Sequence, residues 1–149
     1  MIQRIQTLYL LAVVILGIML IWLPVVQFVS PEGTELQVYE LSALGGAPLQ
    51  GLWGLTLTTV LIPLLALVDI FLYKNRILQA RLNIFTVMLC LGYYGVLALY
   101  IWLAKMSLGV EWHILPWASF PLVCLVLTMM ATRRILKDEA LVRAADRIR

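Results

Sequence analysis

Four long apolar runs divide this chain, and its basic residues fall almost entirely on one side of them. The runs cover residues 8–26, 52–72, 84–104 and 115–131. Each is close to the ~20 residues that a helix needs to cross ~30 Å of hydrocarbon. Only helices and closed barrels satisfy their own backbone hydrogen bonds in lipid, so runs of this length are expected to be helices. Arg4 precedes the first run. Lys74, Arg76 and Arg81 lie between the second and third, and Arg133, Arg134, Lys137, Arg143, Arg147 and Arg149 follow the fourth. Of the 11 Lys and Arg residues, only Lys105 falls in the opposite set of loops. Cytoplasmic loops collect Lys and Arg, so the sequence predicts that both termini and the short middle loop are inside.

The five tryptophans agree. Trp22, Trp53, Trp102, Trp112 and Trp117 all fall at the ends of the runs away from the basic loops. They form one half of an interfacial aromatic belt. Composition closes off the alternatives. With 63% hydrophobic and 13% charged residues, the chain falls well short of the roughly one-quarter charged typical of soluble domains. The whole chain, 1–149, therefore reads as one membrane domain. The net charge of +3 is spread as topology signals and a basic tail, which gives no ground for nucleic-acid binding. The first run is too long for a signal peptide, and no small-x-small cleavage site follows it, so it is expected to stay as an anchor. Cys90 and Cys124 sit in apolar runs and are expected to pack as small hydrophobes.

Between the runs, residues 27–51 make the one sizeable loop. Two extended stretches flank Pro31-Glu32-Gly33, and the second alternates in character, which predicts a small extracytoplasmic β-hairpin. Pro24 marks the outer end of the first helix. Thr56, Thr58 and Thr59 can bond to helix carbonyls, and Pro63 is expected to kink the second helix. Gly92 and Gly95 in the third run permit close helix contact, although their i,i+3 spacing is not that of the GxxxG dimer motif. The tail, 132–149, is expected to form a cytoplasmic amphipathic helix. Glu139 and Arg143 are an i,i+4 pair, and Asp146 can reach Arg143 or Arg149. Such a helix can lie on anionic lipid or dock on a partner. The fold class is thus an all-α four-helix transmembrane bundle with a hairpin outside and a helical tail inside.

Asp69 is the single acidic residue within a run. A carboxylate there is a functional candidate by default. Its closeness to Lys74 allows three structural roles: pairing with Arg4, Lys74 or Arg76, capping the loop, or joining an inner cluster that includes Arg81. It also allows proton or ion handling. His113 is the lone histidine and cannot build a zinc site with three protein ligands. No nucleophile–base pair, metal set or phosphate-binding glycine loop stands out. No enzyme activity, cofactor or metal is expected. Glu32, Glu35, Glu40 and Glu111 make the outer loops acidic.

Three segments together resemble the domain of unknown function 4293 family, small four-helix membrane proteins of Bacteroidota. They are the opening Met1-Ile2-Gln3-Arg4-Ile5-Gln6-Thr7, the inner loop around Tyr73-Lys74-Asn75-Arg76 with Gln79-Ala80-Arg81, and the ending Lys137-Asp138-Glu139-Ala140-Leu141-Val142-Arg143. Ala144 stands where the family pattern has Ser. The resemblance implies a bacterial inner-membrane location with the same topology, and no activity. All three segments face the cytoplasm in this topology, which directs attention to the inner side. The expectation is an accessory or assembly subunit that contacts lipid and other membrane subunits or itself. Its inner charged cluster would be Arg4, Asp69, Lys74, Arg76 and Arg81. Its tail would dock through Asp138, Glu139, Arg143, Asp146 and Arg147. The alternative is a small homo-oligomeric transporter or channel in which Asp69 is the coupling acid.

Overall fold

The computed structural model describes residues 3–29, 35–39, 53–73, 75–109 and 111–146; the side chains at 3, 4, 36–39, 107, 108, 143, 145 and 146 are outside that description. The four apolar runs form four helices: α1 (Gln3–Trp22), α2 (Trp53–Phe71), α3 (Arg76–Leu108) and α4 (Phe120–Asp146). Each holds a window long and apolar enough to cross a membrane. They pack as a ring in chain order, with α1 beside α2 and α4, and α3 beside α2 and α4.

Local chemistry sets the boundaries, and several differ from the sequence expectation. The first helix stops at Trp22 rather than continuing to residue 26. Pro24 biases the residue before it away from the helical region, and the β-branched pair Val25-Val26 continues as strand β1 (Pro24–Val29). Helix α2 runs unbroken through Pro63. Helix α3 has 33 residues, begins eight residues before the apolar run, and stops where Gly109 takes a left-handed φ of 61° and its N–H reaches the Lys105 carbonyl at 3.1 Å. The tail expected as a separate helix is the continuation of α4, a single element of 27 residues. At 1.5 Å per residue α3 is about 50 Å long and α4 about 40 Å. Both exceed the ~30 Å of a hydrocarbon core.

The expected hairpin exists, and it has a third member. β1 pairs antiparallel with β2 (Glu35–Tyr39) on one edge and with β3 (Glu111–Ile114) on the other, in the order β2-β1-β3. Its turn, 30–34, and the return segment, 40–52, lie outside the described residues. The α1–α2 and α3–α4 connections meet because the antiparallel helices bring their ends together. The sheet seats Val25, Val26 and Phe28 on the bundle, in one core cluster with Leu20, Leu55, Tyr93, Leu97, Ala104 and Ala118. A single 3-10 turn (Pro116–Ser119) then leads into α4.

Halfway along, a second cluster joins Val13, Val14, Ile62, Ala66, Cys90 and Cys124. Both cysteines are buried and free. Hydroxyls are returned to their own helix: Thr59 donates to the Leu55 carbonyl, Thr86 to Leu82 and Thr128 to Cys124. Gly17 lets α1 approach α2 closely. A Cβ there would stand 2.9 Å from Cβ and Cδ of Pro63. Only 22–33% of each candidate span is buried within the chain, so most of the apolar helical surface faces outward.

Because the Pro63 ring cannot rotate away, Gly17→Ala is expected to lower the thermal midpoint in detergent, at a cost of about 1–3 kcal/mol from overpacking. An unchanged midpoint in circular dichroism would mean that α1 and α2 do not meet there.

Candidate functional site

Polar side chains gather inside the bundle at the end where α2 turns into α3. The reversal is tight. The Leu72 N–H bonds to the carbonyls of Val68 and Asp69, the Asn75 N–H to Leu72, and the Gln79 N–H to Asn75. This folds α3 back along α2 and lets Gln79 Nε2 donate to the Asp69 carbonyl at 3.1 Å. Asn83 lies one turn further along the same face of α3. The Asp69 side chain leans toward the N-terminal side of its own turn, the direction in which α3 carries Asn83.

Asp69 and Asn83 are each 1% exposed. Both carboxylate oxygens of Asp69 and Nδ2 of Asn83 are buried with no hydrogen-bond partner. An unmatched buried polar group costs about 1–3 kcal/mol, and a charged one more. The groups around it hold their own bonds: Thr86 is committed to Leu82 and Gln79 to the Asp69 backbone. A pair that the fold leaves unmatched in its interior is the strongest candidate site in the chain.

The described members of the expected inner cluster separate. Among the described residues no ion pair joins Asp69 to Arg76 or Arg81. Asp69 is turned into the interior of the bundle. Arg76 and Arg81 line clefts on the α3–α4 side, together with Glu139. The side chain of Arg4, and Lys74 altogether, lie outside the described residues. Of the expected tail residues, Asp138 accepts a 2.8 Å hydrogen bond from Gln6 Nε2, which ties α4 to the start of α1. Arg143 and Asp146 side chains and Arg147 are outside the description. His113 is exposed on β3 opposite Gln27, and Glu35 is exposed and accepts from Gln27 Nε2 at 2.8 Å. Among the described residues no group of three His, Cys, Asp or Glu side chains could hold a metal.

Two features escape a sequence reading. One is Asn83, a polar residue one position before an apolar run, which looks like a boundary rather than an interior group. The other is Tyr94. Its hydroxyl donates to the Ala118 carbonyl at 2.9 Å and accepts from the Leu122 N–H at 3.0 Å. It thereby satisfies one of the unpaired N–H groups in the first turn of α4 and fixes that helix to α3. The one available signal was a phenol in the middle of an apolar run.

The profile of the family described as Domain of unknown function (DUF4293) matches residues 2–148. No curated protein and no solved structure matches the chain.

An unpartnered interior carboxylate weakens a fold. Asp69→Leu is therefore expected to raise the thermal midpoint, since an apolar group of similar size removes the desolvation cost of about 1–3 kcal/mol. A lowered midpoint would mean that the carboxylate contributes to stability.

Proposed function

We propose that this chain, which belongs to the domain of unknown function family DUF4293, is a multi-pass protein of the bacterial inner membrane and serves as an accessory or assembly subunit of a larger membrane complex. Both termini and the α2–α3 turn face the cytoplasm in this reading. It is supported by the one-sided distribution of Lys and Arg. The bundle also supports it, since the antiparallel helices gather all five tryptophans at the sheet end. The protein would carry no reaction of its own.

One observation carries the subunit reading. Gly92 and Gly95 lie on the outward face of α3, and a Cβ built at either meets nothing within 4 Å. Glycine inside a helix costs about 1 kcal/mol relative to alanine, and in this chain no internal packing repays it. Small residues on a lipid-facing helix let a second backbone approach closely, which is how helices associate where no hydrophobic driving force exists. The occupant that fits is a transmembrane helix of another subunit, seated along Met88, Gly92, Gly95 and Leu99.

Affinity purification from native membranes in mild detergent tests this. A stoichiometric partner is expected with the wild type, and its loss is expected with Gly92→Leu/Gly95→Leu. A monomer alone, or a partner equally retained by the double variant, would sink the proposal, and a second copy on this face would redirect it to self-association.

A second reading is favoured by the unmatched Asp69 and Asn83: a small homo-oligomeric transporter or channel in which Asp69 exchanges a proton or small cation. It predicts flux in proteoliposomes that Asp69→Asn abolishes while the melting curve persists. Flux absent from the wild type, or unchanged in the variant, removes it.

A further inference from the structure

We propose that the cleft between the first turns of α3 and the final turns of α4 is a binding site for an anionic phospholipid. The inference rests on the membrane reading of the chain and is independent of the subunit reading. Two adjoining clefts, of about 550 and 380 Å³, share Arg76, Ile77, Arg81 and Glu139. Volumes of this size are those of small-ligand sites.

The lining has the two-part chemistry of a phospholipid. At 100° per residue, Ile77, Ala80 and Ile84 form one stripe on α3, and Arg76 and Arg81 stand on either side of it. Leu136 of α4 faces this stripe across the second cleft. Ile77, Ile84 and Leu136 are each about half exposed, at 49%, 53% and 51%. From Arg76 to Ile84 the stripe runs about 12 Å along the helix, from the basic end toward the apolar run. A phosphate between two guanidinium groups accepts paired, charge-assisted hydrogen bonds, and the acyl chain below it covers an apolar stripe that a free anion would leave bare. Glu139 also lines the cleft, so the described charges are two guanidinium groups against one carboxylate, which still favours an anion. Basic pockets between transmembrane helices at the cytoplasmic face are where anionic headgroups are held.

The purified full chain is mixed with equal amounts of phosphatidylglycerol and phosphatidylcholine, and retained lipid is counted by native mass spectrometry. The wild type is expected to retain phosphatidylglycerol preferentially. Arg76→Gln/Arg81→Gln is expected to reduce that retention by about tenfold or more. Arg133→Gln/Arg134→Gln, which alters exposed arginines that do not line the clefts, is expected to retain it. Leu136→Gln, which leaves the arginines intact, is expected to weaken retention through the apolar stripe. Equal retention of the two lipids by the wild type would overturn the proposal, as would full retention in Arg76→Gln/Arg81→Gln or equal loss in the control pair. A protein that is monomeric yet prefers phosphatidylglycerol would refute the subunit reading and leave this site standing.

Discussion

Backbone polar groups inside an apolar bundle have no water to turn to, and the rest of this architecture follows from meeting that requirement. Within each helix the bonds close locally. The difficulty is confined to the ends, where up to four N–H and four carbonyl groups per helix lack a partner. At one end three strands pair with each other instead of leaving a loose loop, and the Leu115 N–H bonds to the Val25 carbonyl to bind α4's approach to β1. Tyr94 completes the start of α4. At the other end Leu72 and Asn75 join α2 to α3 with backbone bonds of their own.

Against that background of satisfied groups, the exceptions are informative. The unmatched Asp69 and Asn83 are buried toward the end where α2 turns into α3, the glycines lie on the outward face of α3, and the basic cleft lies between α3 and α4. All three involve α3, the longest of the four helices, which borders α2 on one side and α4 on the other. Gln79 ties α3 to α2 at this end, since its amide donates to the Asp69 carbonyl.

How much of this was legible in the sequence depends on the range of the signal. The four runs, the tight basic turn and the tryptophan belt are local patterns, and they appear as helices, turn and sheet end. Strand β3 has four residues, all exposed. Glu111-Trp112-His113-Ile114 does alternate polar and apolar, but the stretch is short, and its pairing depends on β1, more than 80 positions away in the chain. The helix end at Trp22 was hidden because Val25 and Val26 are apolar, and hydropathy alone cannot separate a buried strand from the last turn of a span. For the candidate site, Asp69 was visible as an anomalous charge, whereas its lack of a partner depends on which face α3 turns toward it. The same rotation of α3 sends Arg76 and Arg81 to the α4 side, away from the acid with which their spacing had grouped them.

In a membrane bundle with its basic end inside, the two ends differ in their accessibility to reagents added from outside, and introduced cysteines report that difference. The native Cys90 and Cys124 are buried, so an added cysteine reports its own surroundings. Glu111→Cys on exposed β3 and Lys137→Cys on exposed α4 would each be treated with a membrane-impermeant maleimide in intact spheroplasts. Labelling is expected at position 111 at once, and at position 137 only after permeabilisation. The reverse order, or immediate labelling at both positions, would contradict this orientation.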